Sequence, residues 1–197
     1  MTWTARIVAA LLLAIGLMGG CRTAPTSQEG RDELVRQATA ALREWDRDVP
    51  GLEGFARQSY GYAVFPNVAK GGLGVGASYG RGVVYEQGEH IGYADLSHLS
   101  LGLQVGGQAY QVLVAFDNQG AVERFTRGRL DFSADASGVF LEAGFVVNVR
   151  FIQGVTVFSR PIGGAMGEVA MGGQRFTFVF REDREPGKRA RPAAHPQ

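Results

Sequence analysis

Residues 98–116, HLSLGLQVGGQAYQVLVAF, decide the fold of this chain. In residues 98–105, leucine or valine occupies every second position, and polar residues or glycine fill the positions between them. Alternation with a period of two is typical of a β-strand that has one apolar face. A Gly-Gly pair at 106–107 interrupts the alternation, which resumes in 110–116. The pattern therefore predicts two strands with a bend between them.

The segments on either side have the same period. In residues 72–79, apolar residues alternate with glycine and serine, so one face of this strand is almost bare of side chains. Residues 83–96 predict a hairpin around Gly88. Further strands are predicted within 139–158 and 169–180. The chain is therefore expected to be mostly β from Tyr60 onwards.

A helix precedes these strands. Leu34, Ala38, Leu42 and Trp45 recur at the spacing of one helix face, and Pro50 ends the pattern. A second, shorter helix is predicted directly afterwards. Such a stripe can lie on a membrane or pack on its own domain. Its alanine content and single aromatic residue favour packing on the domain.

These elements predict an α+β fold. N-terminal amphipathic helices would pack on Gly-rich antiparallel β-sheets that form a sandwich or a partly open barrel. Two echoes occur in the sequence: VGGQAYQVLV (105–114) matches MGGQRFTFVF (171–180), and AVFPNVAKGG (63–72) matches TVFSRPIGG (156–164). They indicate either an internal duplication or convergent use of the same turn chemistry. The glycine motifs expected to be structural are Gly71, Gly72, Gly106, Gly107, Gly172 and Gly173.

The N-terminus predicts export. A short positive start is followed by an apolar run at 7–18, which is too short to span a bilayer, so residues 1–20 are predicted to be a signal peptide. Two glycines then precede Cys21, and this arrangement resembles a bacterial lipobox. The resemblance implies cleavage before Cys21 and acylation of its sulfur and its new amino group. The alternative is an ordinary secreted protein with a chance cysteine at the cut.

The chain then divides into three parts. Residues 21–28 are expected to be the lipidated cysteine and a tether, 29–180 a single domain, and 181–197 a disordered basic tail. The predicted localisation is the cell envelope, lipid-anchored to the outer membrane and facing the periplasm. Arg22 supports the outer membrane, since enteric lipoproteins retained at the inner membrane commonly carry aspartate there.

The charge balance narrows the class of partner. Lys and Arg number 20 against 19 Asp and Glu, so the formal net charge is +1. A nearly neutral chain lacks the global field that nucleic-acid binding requires, and purely electrostatic capture of anionic lipid is disfavoured as well. Lysine occurs only at Lys70 and Lys188, so arginine would make most anion contacts. Because Cys21 is the only cysteine, its acylation would leave no thiol for a disulfide or for catalysis.

Two motifs superficially suggest catalysis or nucleotide binding. Residues 76–80 (GASYG) satisfy G-x-S-x-G with Ser78 as the nucleophile, but that elbow needs a strand–turn–helix setting, and the flanks here are β on both sides. Lys70-Gly71-Gly72 lacks the order of a phosphate loop. Both motifs are better explained as parts of Gly-rich strands.

The sequence also gives only weak evidence for a metal site or for an acid–base site. His90 and His98 are eight residues apart, and cysteine ligands are missing. Asp131 and Asp135 could serve acid–base chemistry, but aspartate next to serine more commonly shapes a turn. The sequence therefore predicts a protein that is not an enzyme and that has no cofactor and no metal.

Several motifs in order resemble the SYLF domain family. They are YGYAVFP (60–66), KGGLGVG (70–76), GGQAY (106–110), ADAS (134–137), VF (157–158) and GGQRF (172–176), and the resemblance covers about 31–180. It implies binding of phosphoinositides and other acidic phospholipids, as in eukaryotic members. Yeast members also bundle actin, which is not expected of an exported bacterial protein. Bacterial relatives are commonly exported lipoproteins.

The resemblance suggests a phospholipid membrane as the partner. The candidate lipid contacts are Lys70, Arg81, Arg160 and Arg175, with Arg160 placed in the second echo where Lys70 stands in the first. The alternative is a structural or interaction protein of the cell envelope, which would use aromatic residues to bind a protein partner. The candidates for that interface are Tyr110, Phe176 and Phe178.

Overall fold

Three strands of unusual length dominate the computed structural model, which describes residues 25–130, 132–133, 138–140 and 151–181. They are β1 (Gly61–Glu86), β2 (Glu89–Phe116) and β5 (Val155–Phe180), with 26, 28 and 26 residues, whereas globular strands usually have about 3–10. The other elements are α1 (Gln28–Asp48), α2 (Leu52–Gln58), α3 (Gln119–Thr126), β3 (Phe132–Ser133) and β4 (Gly138–Phe140). Among the described residues, no helix is long and apolar enough to cross a membrane.

The strands form one sheet in the order β1-β2-β5-β3, with β4 also paired to β5. All pairs are antiparallel except β4–β5. The predicted hairpin around Gly88 joins β1 to β2. Gln87 and Gly88 both have positive φ, 50° and 80°, as the tight turns that suit twisted strands require.

The prediction of two strands separated by the Gly-Gly pair at 106–107 is wrong. β2 runs through it without a break, although Gly106 has a φ of 123°. Gly106 lies opposite Gly72 and Gly107 lies opposite Gly71. Because the glycines of neighbouring strands coincide in register, the strands can distort together while their ladder stays paired. Pro66 lies within β1, at a register shift between Phe65 and Val68.

The long strands double back on themselves, and β1 shows this most directly. The amide of Gln87 donates to the carbonyl of Tyr60 over 2.9 Å, so the two ends of β1 meet. A Cβ on Gly82 would lie 2.8 Å from the carbonyl oxygen of Val64, and one on Gly80 would lie 2.8 Å from that of Asn67. The first half of β1 therefore runs beside its second half in the opposite direction, at a distance that only glycine allows.

The short connection between β3 and β4 shows that β5 is bent as well. Ser133 pairs with Gly173, and Gly138 pairs with Val157. A straight strand would separate Gly173 from Val157 by about 53 Å, but the chain from Ser133 to Gly138 reaches at most about 18 Å. β5 must therefore be bent. The predicted α+β fold with a partly open barrel is confirmed: the sheet curls strongly and stays open.

Two cores lie on opposite faces of the curled sheet. The inner core contains Phe65, Phe116 and Phe176, with Phe125 from α3 inserted between the last two. The outer core joins α1 and α2 to the other face of the sheet; its residues include Leu34, Ala38, Leu42, Trp45, Tyr62, Val83, Tyr93, Leu113 and Phe158. Both faces of the long strands are thus used, which explains their high apolar content.

The predicted helix face is buried on the domain. Trp45 is 2% exposed and packs edge-on against Phe158, with ring centroids 6.3 Å apart. Ser27 caps the start of α1 by accepting from the amide of Gly30, and Asp46 accepts from the amides at the start of α2. The apolar stripe of α1 is therefore occupied by the sheet, and this helix does not present it to a membrane.

Candidate functional site

Register divides the sheet into an inner and an outer face, because residues directly opposite one another point to the same side. On β2, Val112 and Val114 belong to the inner core, whereas Tyr93 and Leu113 lie under the helices. From Tyr93 onwards, every second residue along β2 therefore shares a face. This assignment places the four candidate cations in three separate locations.

Lys70 lies on the inner face. It is opposite Gln108, two residues from Tyr110, which packs against the inner core. Lys70 is half-buried. Its position does not correspond to that of Arg160, which is opposite Gln111. The two echo segments at 63–72 and 156–164 do flank β2 on opposite sides, but they are offset, so Lys70 and Arg160 are not brought together.

Arg160 joins β5 to the last turns of α1. Its Nη1 donates to Gln111 Oε1 over 3.1 Å and lies 3.5 Å from Glu44 Oε2, and its Nη2 lies 2.6 Å from Asp48 Oδ2. Gln111 is buried and also accepts from the indole N–H of Trp45. A cation near a helix C-terminus is favourable in its own right. The guanidinium of Arg160 is thus engaged by the protein itself.

Arg81 and Arg175 share the outer face with two exposed apolar side chains. Three successive cross-strand rows are Arg81–Asp95–Thr177, Tyr79–Ser97–Arg175 and Ala77–Leu99–Gly173. Leu99 is 72% exposed and Tyr79 is 38% exposed. We call Tyr79, Arg81, Leu99 and Arg175 the outer patch. Of the sequence candidates, the structure brings only Arg81 and Arg175 into one neighbourhood.

Tyr79 and Arg81 support each other within the outer patch. The Nε of Arg81 donates to the hydroxyl oxygen of Tyr79 over 3.0 Å, and its guanidinium carbon lies 6.0 Å from the ring centroid. Partial burial raises the pKa of Tyr79, while the hydrogen bond from Arg81 opposes that rise. The phenol therefore stays neutral at physiological pH and presents an amphipathic ring beside a cation.

The outer patch adjoins the start of α1. A cleft of about 240 Å³ is lined by Arg81 and Asn67 from the sheet and by Leu34 and Gly30 from the helix. Pro25, at the beginning of the described chain, also lines it. Pro25 therefore lies next to the outer patch.

Residues of the esterase motif do not form a nucleophile elbow. Ser78 is 4% exposed and lies within β1, opposite His98 on β2, so no helix follows it. Its hydroxyl has no hydrogen-bond partner in the described part of the chain. Within that same part, no group of three or more His, Cys, Asp or Glu residues could hold a metal ion.

The prediction that Phe176 contributes to an interface with a protein partner is wrong. This residue is 2% exposed and contacts Phe65 and Phe125, with ring centroids 5.7 and 5.2 Å away. Tyr110 and Phe178 are half-buried against the same core. The cause is the curl of the sheet, which turns this face inward. In contrast, the exposure of Leu99 and Tyr79 could not be predicted, since the sequence does not show which part of the outer sheet face the helices leave uncovered.

Several predicted features lie outside the described residues. They are the signal peptide, Cys21, Asp131, Asp135 and the tail after Arg181. Gly172 and Gly173 are placed only by register, opposite Ser100 and Leu99.

The sequence model of a family described as "Ysc84: Las17-binding protein actin regulator" matches residues 97–177. This range starts at the outer patch and includes most of β2 and β5. No curated protein matches the chain significantly.

Proposed function

We propose that the protein is an exported, membrane-anchored lipoprotein whose domain contacts phospholipid and catalyses no reaction. The proposal starts from the match of residues 97–177 to the Ysc84 family model, which is consistent with the SYLF family. Its place would be the cell envelope, on the outer membrane and facing the periplasm. Acylated Cys21 would supply stable attachment, since two or three acyl chains anchor a protein to a bilayer, whereas a single chain binds only marginally. The domain would add a specific contact with the lipid surface.

The observation that carries this proposal is the exposure of Leu99 beside arginine and tyrosine. An exposed leucine with a neighbouring aromatic ring and flanking cations is typical of surfaces that enter the membrane interface. In the outer patch, Leu99 would enter the acyl boundary, while Arg81 and Arg175 would meet phosphate groups. Lys70 and Arg160 contribute less to this account, because one faces inward and the other is engaged by α1.

The expected strength of this contact is low, and the anchor makes it sufficient. Burying one leucine contributes about 2 kcal/mol, and each arginine near an anionic surface about 1 kcal/mol. A sum of about 4 kcal/mol corresponds to a Kd of about 1 mM. A short tether supplies an effective concentration of the same order, so weak contacts suffice. This agrees with a chain whose net charge is only +1.

Flotation with vesicles tests the proposal. The mature chain carrying Cys21→Ser, which cannot be acylated, is mixed with phosphatidylglycerol or phosphatidylcholine vesicles at low salt and centrifuged through a gradient. We expect partial co-flotation with the anionic vesicles, reduced about tenfold by Leu99→Ser and about fivefold by Arg175→Glu. Ile152→Ser and Arg127→Glu are the matched controls and should float normally. Absence of flotation with every lipid would remove the proposal.

A second candidate function is an interaction with another envelope protein. The family description names the binding of a protein, Las17, and the outer patch is an exposed apolar surface on which a protein could also dock. Recovery of a stoichiometric partner from envelope extract, dependent on Leu99 and without any lipid binding, would favour this function over the first.

A further inference from the structure

A small cavity lies between the middle of α1 and the two ends of β1. Its volume is about 200 Å³. Ala38 and Leu42 of α1 and Val64 of β1 form an apolar part of its lining, and each of them is at most 4% exposed. The polar part of the lining, which gives the name tyrosine cavity to this space, consists of Thr39, Arg57, Tyr62 and Tyr85. Apolar walls with a few converging polar groups are typical of sites that bind small molecules.

The doubling back of β1 builds the tyrosine cavity. Tyr62 lies near the start of this strand and Tyr85 near its end, and the amide of Gln87 donates to the carbonyl of Tyr60 where the two ends meet. The rings of Tyr62 and Tyr85 stack with their centroids 4.7 Å apart and their planes 16° from parallel. Two tyrosine side chains that are far apart in the sequence therefore line the same space.

Tyr62 supplies a hydrogen-bond donor to the tyrosine cavity. The residue is 3% exposed, and within the described residues its hydroxyl has no hydrogen-bond partner. Burial raises the pKa of Tyr62, so the hydroxyl keeps its proton at neutral pH. Buried polar groups of folded proteins nearly always have a partner. The Tyr62 hydroxyl therefore favours a ligand that brings an acceptor oxygen to it.

Two other polar side chains of the cavity are engaged by neighbouring groups. The Thr39 hydroxyl donates to the carbonyl of Val35 over 2.9 Å. The Nε and Nη2 of Arg57 both donate to Glu53 Oε1, over 2.9 and 2.7 Å. This ion pair balances the guanidinium charge, and the negative charge of Glu53 acts on Tyr62 as well. The electrostatics of the cavity therefore favour an uncharged ligand over an anion.

We propose that the tyrosine cavity binds a small uncharged molecule that has a planar apolar body and one acceptor oxygen, such as an aromatic amide. A cavity of about 150 Å³ holds benzene, so the space suffices for a single substituted ring. The ring would lie among Ala38, Leu42 and Val64, and its oxygen would accept from the Tyr62 hydroxyl. No described lining residue belongs to the outer patch, so this binding is separate from the proposed contact with phospholipid.

An NMR titration tests this inference. The mature Cys21→Ser chain, labelled with ¹⁵N, is titrated with benzamide and, separately, with benzoate and with benzene. We expect benzamide to shift the amide signals of Leu42 and Val64 with a Kd of about 1 mM and to bind at least fivefold more tightly than benzoate. Tyr62→Phe should weaken benzamide binding about fivefold and leave benzene binding unchanged, because only the hydroxyl is removed. Tyr93→Phe is the matched control and should bind normally, since it removes a hydroxyl from the outer core outside the cavity.

Three results would overturn the inference. They are the absence of shifts with benzamide, equal or tighter binding of benzoate, and unchanged benzamide binding by a folded Tyr62→Phe variant. Ala38→Leu, which fills the cavity from α1, is the second variant and should abolish the binding of both benzamide and benzene. The melting temperature of each variant is measured alongside. If folded Ala38→Leu binds both molecules normally, the site lies elsewhere and the inference fails, whatever the vesicle flotation shows.

Discussion

Arg160 Nη2 lies 2.6 Å from Asp48 Oδ2, and this ion pair joins the first half of β5 to the last turn of α1. The same guanidinium reaches Glu44 and Gln111. The contact holds α1 across the outer face of the curled sheet. It also explains why a residue that the sequence nominated for lipid contact serves the architecture of the domain.

Arg160→Ala should therefore destabilise the fold. We expect a loss of about 1 kcal/mol in the free energy of unfolding, because the pair is partly exposed but hydrogen-bonded to buried Gln111. Chemical denaturation measures this change. Arg47→Ala is the control, since Arg47 lies 3.9 Å from Glu44 and its side chain is 75% exposed. Equal losses in both variants would contradict the role assigned to Arg160.

Gly82→Ala tests the doubling back of β1. A Cβ at this position would lie 2.6 Å from the ring of Phe65 and 2.8 Å from the carbonyl oxygen of Val64. We expect a loss of about 3 kcal/mol in the free energy of unfolding, since a backbone atom cannot yield as a flexible side chain does. The measurement is urea denaturation.

The matched control is in the same strand. A Cβ on Gly71 would lie 3.7 Å from the carbonyl oxygen of Gly106, which is an ordinary van der Waals contact. Gly71→Ala should change stability by no more than about 0.5 kcal/mol. If both alanine variants behaved alike, the two halves of β1 would not lie side by side.

Ionisation of Tyr85 should make the free energy of unfolding depend on pH in the alkaline range. Burial raises its pKa from the usual 10.0 to about 12, and its ring stacks on that of Tyr62 with centroids 4.7 Å apart. Because the folded state keeps the proton longer than the unfolded state, the stabilisation is complete below pH 10 and is lost as the pH rises towards 12. Denaturation at pH 9 to 12 should show a smaller decline for Tyr85→Phe than for the wild type. The same decline in both would assign the alkaline loss to other groups.

The sequence correctly predicted the features that depend on the residues of a single helix or strand. The alternation in residues 98–105 correctly predicted an extended strand, and the stripe from Leu34 to Trp45 correctly predicted a helix packed on the domain. Both predictions are confirmed because the residues that are buried on one face recur with a period of 2 in a strand and of 3.6 in a helix. The hairpin at Gly88 was predictable for the same local reason.

Features that depend on register could not be predicted in this way. The glycines at 106–107 looked like a break, but Gly71 and Gly72 lie opposite them, so the ladder continues. Lys70 and Arg160 looked equivalent, but shifts near Pro66 and between Ala109 and Tyr110 alter the pairing. A sequence echo reports similar local chemistry, whereas a single bulge moves a side chain to the other face.

We propose that the outer patch enters a phospholipid surface at Leu99, and an environment-sensitive fluorophore at position 99 measures this insertion. Since Cys21 is the only cysteine, the chain with Cys21→Ser and Leu99→Cys carries a single thiol for labelling. On addition of phosphatidylglycerol vesicles, we predict a blue shift and a several-fold rise in emission, with no change for a label at Ile152→Cys. Unchanged emission from position 99 in the presence of bound vesicles would contradict the account.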